Sequence, residues 1–310
     1  MSLTVLFAAS NDNWQMYGDA LRKALADAGL TAELVTQAEP ETVDYIVYAP
    51  TSKLKDFTPY TNVKAVLSLW AGVEKIVANE TLTMPLVRMV DPGMTQSMTE
   101  WVTGHVLRYH LGMDAHIVNP DRKWEWHSNP LAEERTVCIL GLGELGGAVA
   151  RSLLALNFKV CGWSRSPKTV EGVECFHGPD GLKPALSKAN IVVLLLPDTA
   201  ETENTLNADT LGFLPKGAFI INPGRGPLID DAALIEALDA GQVAHATLDV
   251  FRIEPLPENH PFWRHPKVTV TPHIAAATRA LTASREIAAN IRRGETGAPF
   301  LNLVDRARRY

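Results

Sequence analysis

The run Gly141-Leu142-Gly143-Glu144-Leu145-Gly146 constrains the fold of this chain more than any other feature, because of what flanks it. Directly before it, Thr136–Leu140 is a short apolar stretch that reads as a buried strand. Directly after it, Leu145, Val149, Leu153 and Leu156 recur at helical spacing. A strand that turns through glycines into a helix opens a βαβ unit, and in that setting the three glycines have separate duties. Gly141 permits the tight turn, Gly143 lets a ligand approach the backbone, and Gly146 allows helix and strand to pack closely. The N–H groups of the helix start then form a cradle for phosphate, so residues 141–146 are expected to hold a dinucleotide.

The rest of the chain supports two α/β units. Leu3–Ala8, Thr31–Thr36, Asp44–Ala49 and Val63–Trp70 read as strands, with a helix over Trp14–Ala28 that stops at Gly29. A long proline-free segment, Met94 to Val118, carries Trp101, Val102, His105, Val106, Tyr109 and Met113 on one helical face. From Thr136 a second series begins, and its apolar runs are Val137–Leu140, Lys159–Cys161, Ile191–Leu196, Ala218–Ile221, Ala246–Val250 and Val268–Val270. Six strands at this spacing suit a dinucleotide-binding parallel sheet. A last helix, Thr278–Arg293, is placed to cross back to the first domain.

Bulk properties exclude some functions. A net charge of −6 and a pI near 5.9 leave no basic footprint for nucleic acid or an anionic membrane surface. Anionic small molecules therefore require local cations. The longest apolar stretch, near Ile191–Leu196, is far shorter than the ~20 residues that span a bilayer. Cys138, Cys161 and Cys175 lack metal-ligand spacing, and the first two sit inside strands as buried thiols. No metal is expected, and a reducing, cytoplasmic setting fits.

Cofactor choice is read at the end of the second strand of the series. An NAD site carries an acid there to bind the ribose hydroxyls. This chain has Trp163-Ser164-Arg165-Ser166-Pro167-Lys168, with no carboxylate before Glu171. Ser164, Arg165 and Ser166 suit a ribose 2′-phosphate, so NADPH is expected over NADH, which remains a weaker ligand.

Two further residues lie at strand ends, where open α/β sheets bind ligands. Arg225 follows Ala218–Ile221 in the turn Asn222-Pro223-Gly224-Arg225-Gly226, and a guanidinium there can clamp a carboxylate. His273 follows Val268–Thr271 behind Pro272. Glu254 is 19 residues earlier, so only the fold can pair it with His273. A carboxylate beside an imidazole favours the protonated ring, the form that donates a proton to a developing alkoxide. His105, His127 and His265 read as structural.

With Phe251-Arg252-Ile253-Glu254-Pro255-Leu256-Pro257 and Thr271-Pro272-His273-Ile274-Ala275 in place, the sequence resembles the D-isomer-specific 2-hydroxyacid dehydrogenase family, most tightly from Gly141 to Thr278. Within it, Trp163–Ser166 and His260-Pro261-Phe262-Trp263-Arg264-His265-Pro266 resemble the bacterial A-type glyoxylate/hydroxypyruvate reductases. The resemblance implies two doubly wound parallel-sheet domains, a Rossmann domain at 99–277 and a discontinuous flavodoxin-like substrate domain at 1–98 and 278–310. It implies that Arg225 orients the acid, Glu254 supports the histidine and His273 is the general acid/base. Asp249 would hold the nicotinamide amide, Pro197 would line the cofactor cleft, and the turn at Ala71, Gly72 and Val73 would bind substrate carboxylate through backbone N–H groups. Glu74 stands where that turn often has Asp. The expected substrate is a small 2-oxoacid and the expected assembly a homodimer, for which the 94–118 helix suits the interface or burial within the monomer. The alternatives are another 2-oxoacid, such as pyruvate, phenylpyruvate or a branched analogue, and a nucleotide-sensing binding protein. Formate enzymes of this fold are less similar, because they pair the histidine with an amide.

Overall fold

The computed structural model describes residues 2–117 and 119–306. The chain divides into two compact units, Met1–Met94 with Ala277–Tyr310, and Thr95–Ala276. Among the described residues no helix is long and apolar enough to cross a membrane.

The first unit is built on strands β1 (Leu3–Ala8), β2 (Ala32–Val35), β3 (Tyr45–Tyr48), β4 (Ala65–Ser68) and β5 (Leu86–Val87). Its all-parallel order is β2-β1-β3-β4-β5, the flavodoxin-like winding. β5 was not expected: two residues are too few to show a period. The helix Asn11–Asp27 begins three residues before the expected Trp14, because the Ser10 side chain caps Asn13 N at 3.3 Å. Gly29, at φ +72, ends the turn beyond it. Its buried face, Tyr17, Leu21, Ala24 and Leu25, meets Ala283, Ile287, Ala288 and Ile291 of the helix Ala280–Glu295 over one side of the sheet.

The second unit carries β6 (Thr136–Leu140), β7 (Lys159–Ser164), β8 (Glu174–His177), β9 (Ile191–Leu194), β10 (Ala218–Asn222), β11 (Val243–Leu248) and β12 (Val268–Val270). The order β12-β11-β10-β9-β6-β7-β8 is parallel throughout and reverses between β9 and β6, the switch point of a Rossmann sheet. Seven strands replace the expected six. The added β8 is an edge strand with both end residues exposed, so it lacks the apolar run of a central strand. Cys138 and Cys161 face each other across β6 and β7 and are buried.

The expected 94–118 helix is two elements. Pro92–His110 starts at a proline, tolerated at a first turn, with Asp91 Oδ1 accepting from Gly93 N and Oδ2 from Met94 N. Gly112, at φ +59, breaks it before the single turn Asp114–Ile117; Val118 lies outside the described residues. Met98, Val102, Val106 and Tyr109 are buried against β6, β9 and β10, so this helical face is consumed within its own unit, and Met113 is exposed.

Candidate active site

The glycine turn has the geometry its sequence requires. Gly141 has φ +110, and a Cβ on it would stand 2.5 Å from Leu195 O. A Cβ on Gly146 would overlap Gly141 O at 1.8 Å. Gly143 differs: it is exposed with open space around its Cβ position, at the N-cap of Glu144–Ala155, and no side chain caps that helix. Uncapped N–H donors beside an open glycine fit a pyrophosphate. Leu142 is buried against Gly162, so only its backbone could meet a ligand, whereas Glu144 is exposed and Leu145 half-buried. Leu156, expected on the inner face, caps the helix and is exposed.

At the end of β7, Ser164 is buried and its hydroxyl donates to Ser166 O at 2.7 Å, which shapes the turn. Arg165, Ser166 and Lys168 are exposed beyond it. Pro197 follows β9, and its carbonyl accepts from Thr202 Oγ1 at 2.6 Å.

Arg225, Glu254 and His273 all lie in the second unit, on segments past the carboxyl ends of β10, β11 and β12. Asn222 builds the arginine turn by accepting from Gly224 N at 3.1 Å and donating to Arg225 O at 2.9 Å. Arg225 is partly buried, with Nη1 donating to Gly224 O at 2.8 Å. A Cβ on Gly226 would meet Phe251 C at 2.0 Å, so this turn lies directly on the backbone that leads to Glu254. Glu254 Oε1 accepts from Phe251 N at 2.9 Å, and Oε2 stands 2.8 Å from His273 Nδ1. The imidazole is 50% exposed and the carboxylate 35%. The ring's Nε2 is therefore the nitrogen left for a substrate oxygen.

His273 has φ +55, a left-handed backbone that costs a non-glycine residue about 1–2 kcal/mol. Asp249 accounts for it. Its carbonyl accepts from His273 N at 2.9 Å, and its 0% exposed carboxylate accepts from Thr271 Oγ1 at 2.6 Å and from Ile274 N and Ala275 N, each at 2.9 Å. The sequence missed Thr271 as a partner. Because Leu248 pairs with Val270 across β11 and β12, Asp249 meets Thr271 one step later, a signal available only once the register is known.

Two other histidines, His105 and His245, are half-buried. His105 is pulled below its ordinary pKa by burial, then by Arg108. His245, which shares a 2.9 Å hydrogen bond with Thr269 Oγ1, is lowered to about 4 by the same two causes in the same order.

In the first unit, the turn after β4 is held by Ser68, whose hydroxyl donates to Trp70 O at 2.8 Å and accepts from Trp70 N at 3.1 Å. Ala71 and Gly72 are half-buried and Val73 buried; the helix that follows, Glu74–Val77, is a single turn. Its macrodipole is correspondingly small, so any anion binding at Ala71–Val73 depends on the loop N–H groups themselves.

Fold and site together define an α/β protein with a Rossmann sheet, an open glycine turn at a helix N-terminus, and an arginine, glutamate and histidine past adjacent strand ends. Residues 105–275 match the family described as D-isomer specific 2-hydroxyacid dehydrogenase, NAD binding domain. The chain is 42% identical to a glyoxylate/hydroxypyruvate reductase A of Serratia proteamaculans over 251 residues, 78% of this chain and 80% of that protein. It is 39% identical to the Yersinia enterocolitica protein of the same name over 88% of this chain and 90% of that one. A D-isomer specific 2-hydroxyacid dehydrogenase of Xanthobacter autotrophicus Py2, solved with NADPH and MES, superposes with a TM-score of 0.91 at 40% identity over 100% of both chains. An NADPH-dependent glyoxylate/hydroxypyruvate reductase of Sinorhizobium meliloti, solved with NADP and sulfate, gives 0.86 at 32% identity, again over 100% of both. The chain belongs to the D-isomer specific 2-hydroxyacid dehydrogenase family.

Proposed function

We propose that this protein reduces small 2-oxoacids, glyoxylate and hydroxypyruvate, to 2-hydroxyacids with NADPH. The observation that carries the reading is the 2.8 Å contact between Glu254 and His273, formed beside the arginine turn and in the same unit as the glycine cradle. The sequence relatives bear reductase names and the Xanthobacter and Sinorhizobium structures hold NADPH or NADP, which supports both reaction and cofactor.

Residues 141–146 would hold the pyrophosphate, Arg165 and Ser166 would meet the ribose 2′-phosphate, and Pro197 would border the cofactor. When bound, NADPH supplies a hydride to the carbonyl carbon of the acid. Arg225 donates to the substrate carboxylate and to the ketone oxygen, charge-assisted bonds worth about 1.5–3 kcal/mol each. His273 gives its Nε2 proton to the oxygen as negative charge develops there. Glu254 holds the ring through Nδ1 and so fixes the direction in which Nε2 points.

The pairing of copies falls to the stretch beyond His110. Leu111, Met113 and Ile117 are exposed there, and Trp124 and Trp126 are 98% and 86% exposed. That concentration of apolar surface supports a homodimer, testable by light scattering on the eluted protein.

The functional test follows NADPH and NADH oxidation with glyoxylate, hydroxypyruvate, pyruvate and phenylpyruvate. Fast NADPH-dependent turnover of the first two is expected. His273→Ala should lower kcat by about 10²–10⁴-fold while NADPH still binds. Near-normal turnover in that variant removes the histidine from the chemistry.

A further inference from the structure

Arg252 takes no part in the chemistry above, yet its guanidinium ties together the loops that carry it. Nη1 donates to Glu203 Oε1 at 3.2 Å; Nη2 donates to Ile229 O at 2.7 Å, Pro227 O at 3.3 Å and Asn204 Oδ1. Nε lies 4.0 Å from Asp231 Oδ1. Two of these acceptors belong to the loop that begins at Pro197, and two are carbonyls in the turn that follows Arg225. Those two segments already run side by side: Asn204 N donates to Pro227 O at 2.9 Å, Leu206 N to Leu228 O at 3.0 Å and Asp230 N to Leu206 O at 2.9 Å. Arg252 adds the third segment, its own, in which Phe251 N fixes Glu254 and the Phe251 backbone abuts Gly226.

An exposed ion pair by itself contributes little to stability, and this side chain is 32% exposed. A planar fork that reaches backbone carbonyls and side chains on separate segments has a different consequence, because it fixes their relative position. We infer that Arg252 is a positioning residue that sets the spacing between Arg225 and the Glu254–His273 pair. This inference rests on the oxoacid-reductase reading for its kinetic effect, and on the loop geometry alone for its structural one.

The test compares wild type with Arg252→Met and Arg252→Lys. In the methionine variant, kcat for the oxoacid should fall about 10- to 100-fold, the scale of a misplacement near 1 Å, while KM for NADPH stays within about threefold. Lysine keeps the charge but lacks the fork, so it should restore kcat only in part, and it serves in place of the methionine variant should that fail to fold. A crystal structure of either variant reads the Arg225 to Glu254 spacing directly. Unchanged spacing, or wild-type kcat with only a lower Tm, overturns the inference. Failure of wild type to reduce any oxoacid overturns the functional reading instead, and the crystallographic spacing still decides the role of Arg252.

Discussion

Asp249→Asn separates two roles for one carboxylate. If Asp249 served only to hold a nicotinamide amide, the isosteric change would raise KM for NADPH and leave the free protein as stable as before. The structure predicts otherwise. The carboxylate is fully buried and already accepts from Thr271 Oγ1, Ile274 N and Ala275 N. An asparagine can keep its oxygen toward Thr271 and Ile274, but its NH2 then faces the Ala275 N–H, donor against donor. One hydrogen bond to a charged acceptor is lost, about 1.5–3 kcal/mol, and a buried N–H is left unpaired, about 1–3 kcal/mol. Partial relaxation of the 271–275 loop would bring the sum to roughly 3–4 kcal/mol, and His273 loses part of the support for its left-handed backbone. Urea unfolding of the cofactor-free variant should show that loss, with kcat down about 10²-fold. A change in unfolding free energy below about 1 kcal/mol, with the whole effect in KM for NADPH, would refute the reasoning.

Arg165→Ala should raise KM for NADPH by about tenfold or more and leave NADH nearly unchanged, as expected when a charge-assisted bond to a 2′-phosphate is removed; steady-state kinetics with both cofactors read this, and equal effects would exclude the assignment. Acid should weaken the fold through His245. Above its ordinary pKa of 6.5 both folded and unfolded forms are neutral and the stability is fully present. Between 6.5 and about 4 the unfolded chain takes up a proton that the native site refuses, so stability falls through that window. The site is part-exposed, and about 1–2 kcal/mol is the expected loss, with burial at His105 and His110 acting in the same direction. His245→Gln should flatten the dependence of the urea midpoint on pH; parallel curves for variant and wild type would contradict it.

How much was legible depended on whether a feature is local in sequence. The glycine turn was readable because Gly141, Gly143 and Gly146 act on a backbone only a few residues long. Arg225 and His273 were readable because each directly follows an apolar run that could only be a strand. β8 and β5 were not, since an exposed four-residue edge and a two-residue strand carry no run to detect. The apolar period runs on through Gly112 to Val118, but the positive φ of Gly112 ends the helix, and a single glycine does not interrupt the period. Glu254 could be paired with His273 only by family resemblance, and the partners of Asp249 and Arg252 not at all, because they depend on the register of β11 with β12 and on loops that meet only in the fold.

Asp249 and Glu254, five positions apart in the same segment, show why residue type alone does not assign a role. Both are acids near one imidazole. Asp249 is buried and its acceptors face chain donors in the loop, so its influence on His273 passes through backbone geometry. Glu254 has one oxygen on the Phe251 N–H and the other on the ring, at a site open to solvent, so its influence passes through direct contact with the ring. Neutralising the first should therefore appear in unfolding before it appears in any titration. Neutralising the second should appear in kcat, because it weakens the acceptor that holds the ring through Nδ1. Under the proposed mechanism, turnover would therefore be tuned at Glu254 without disturbing the loop that Asp249 builds.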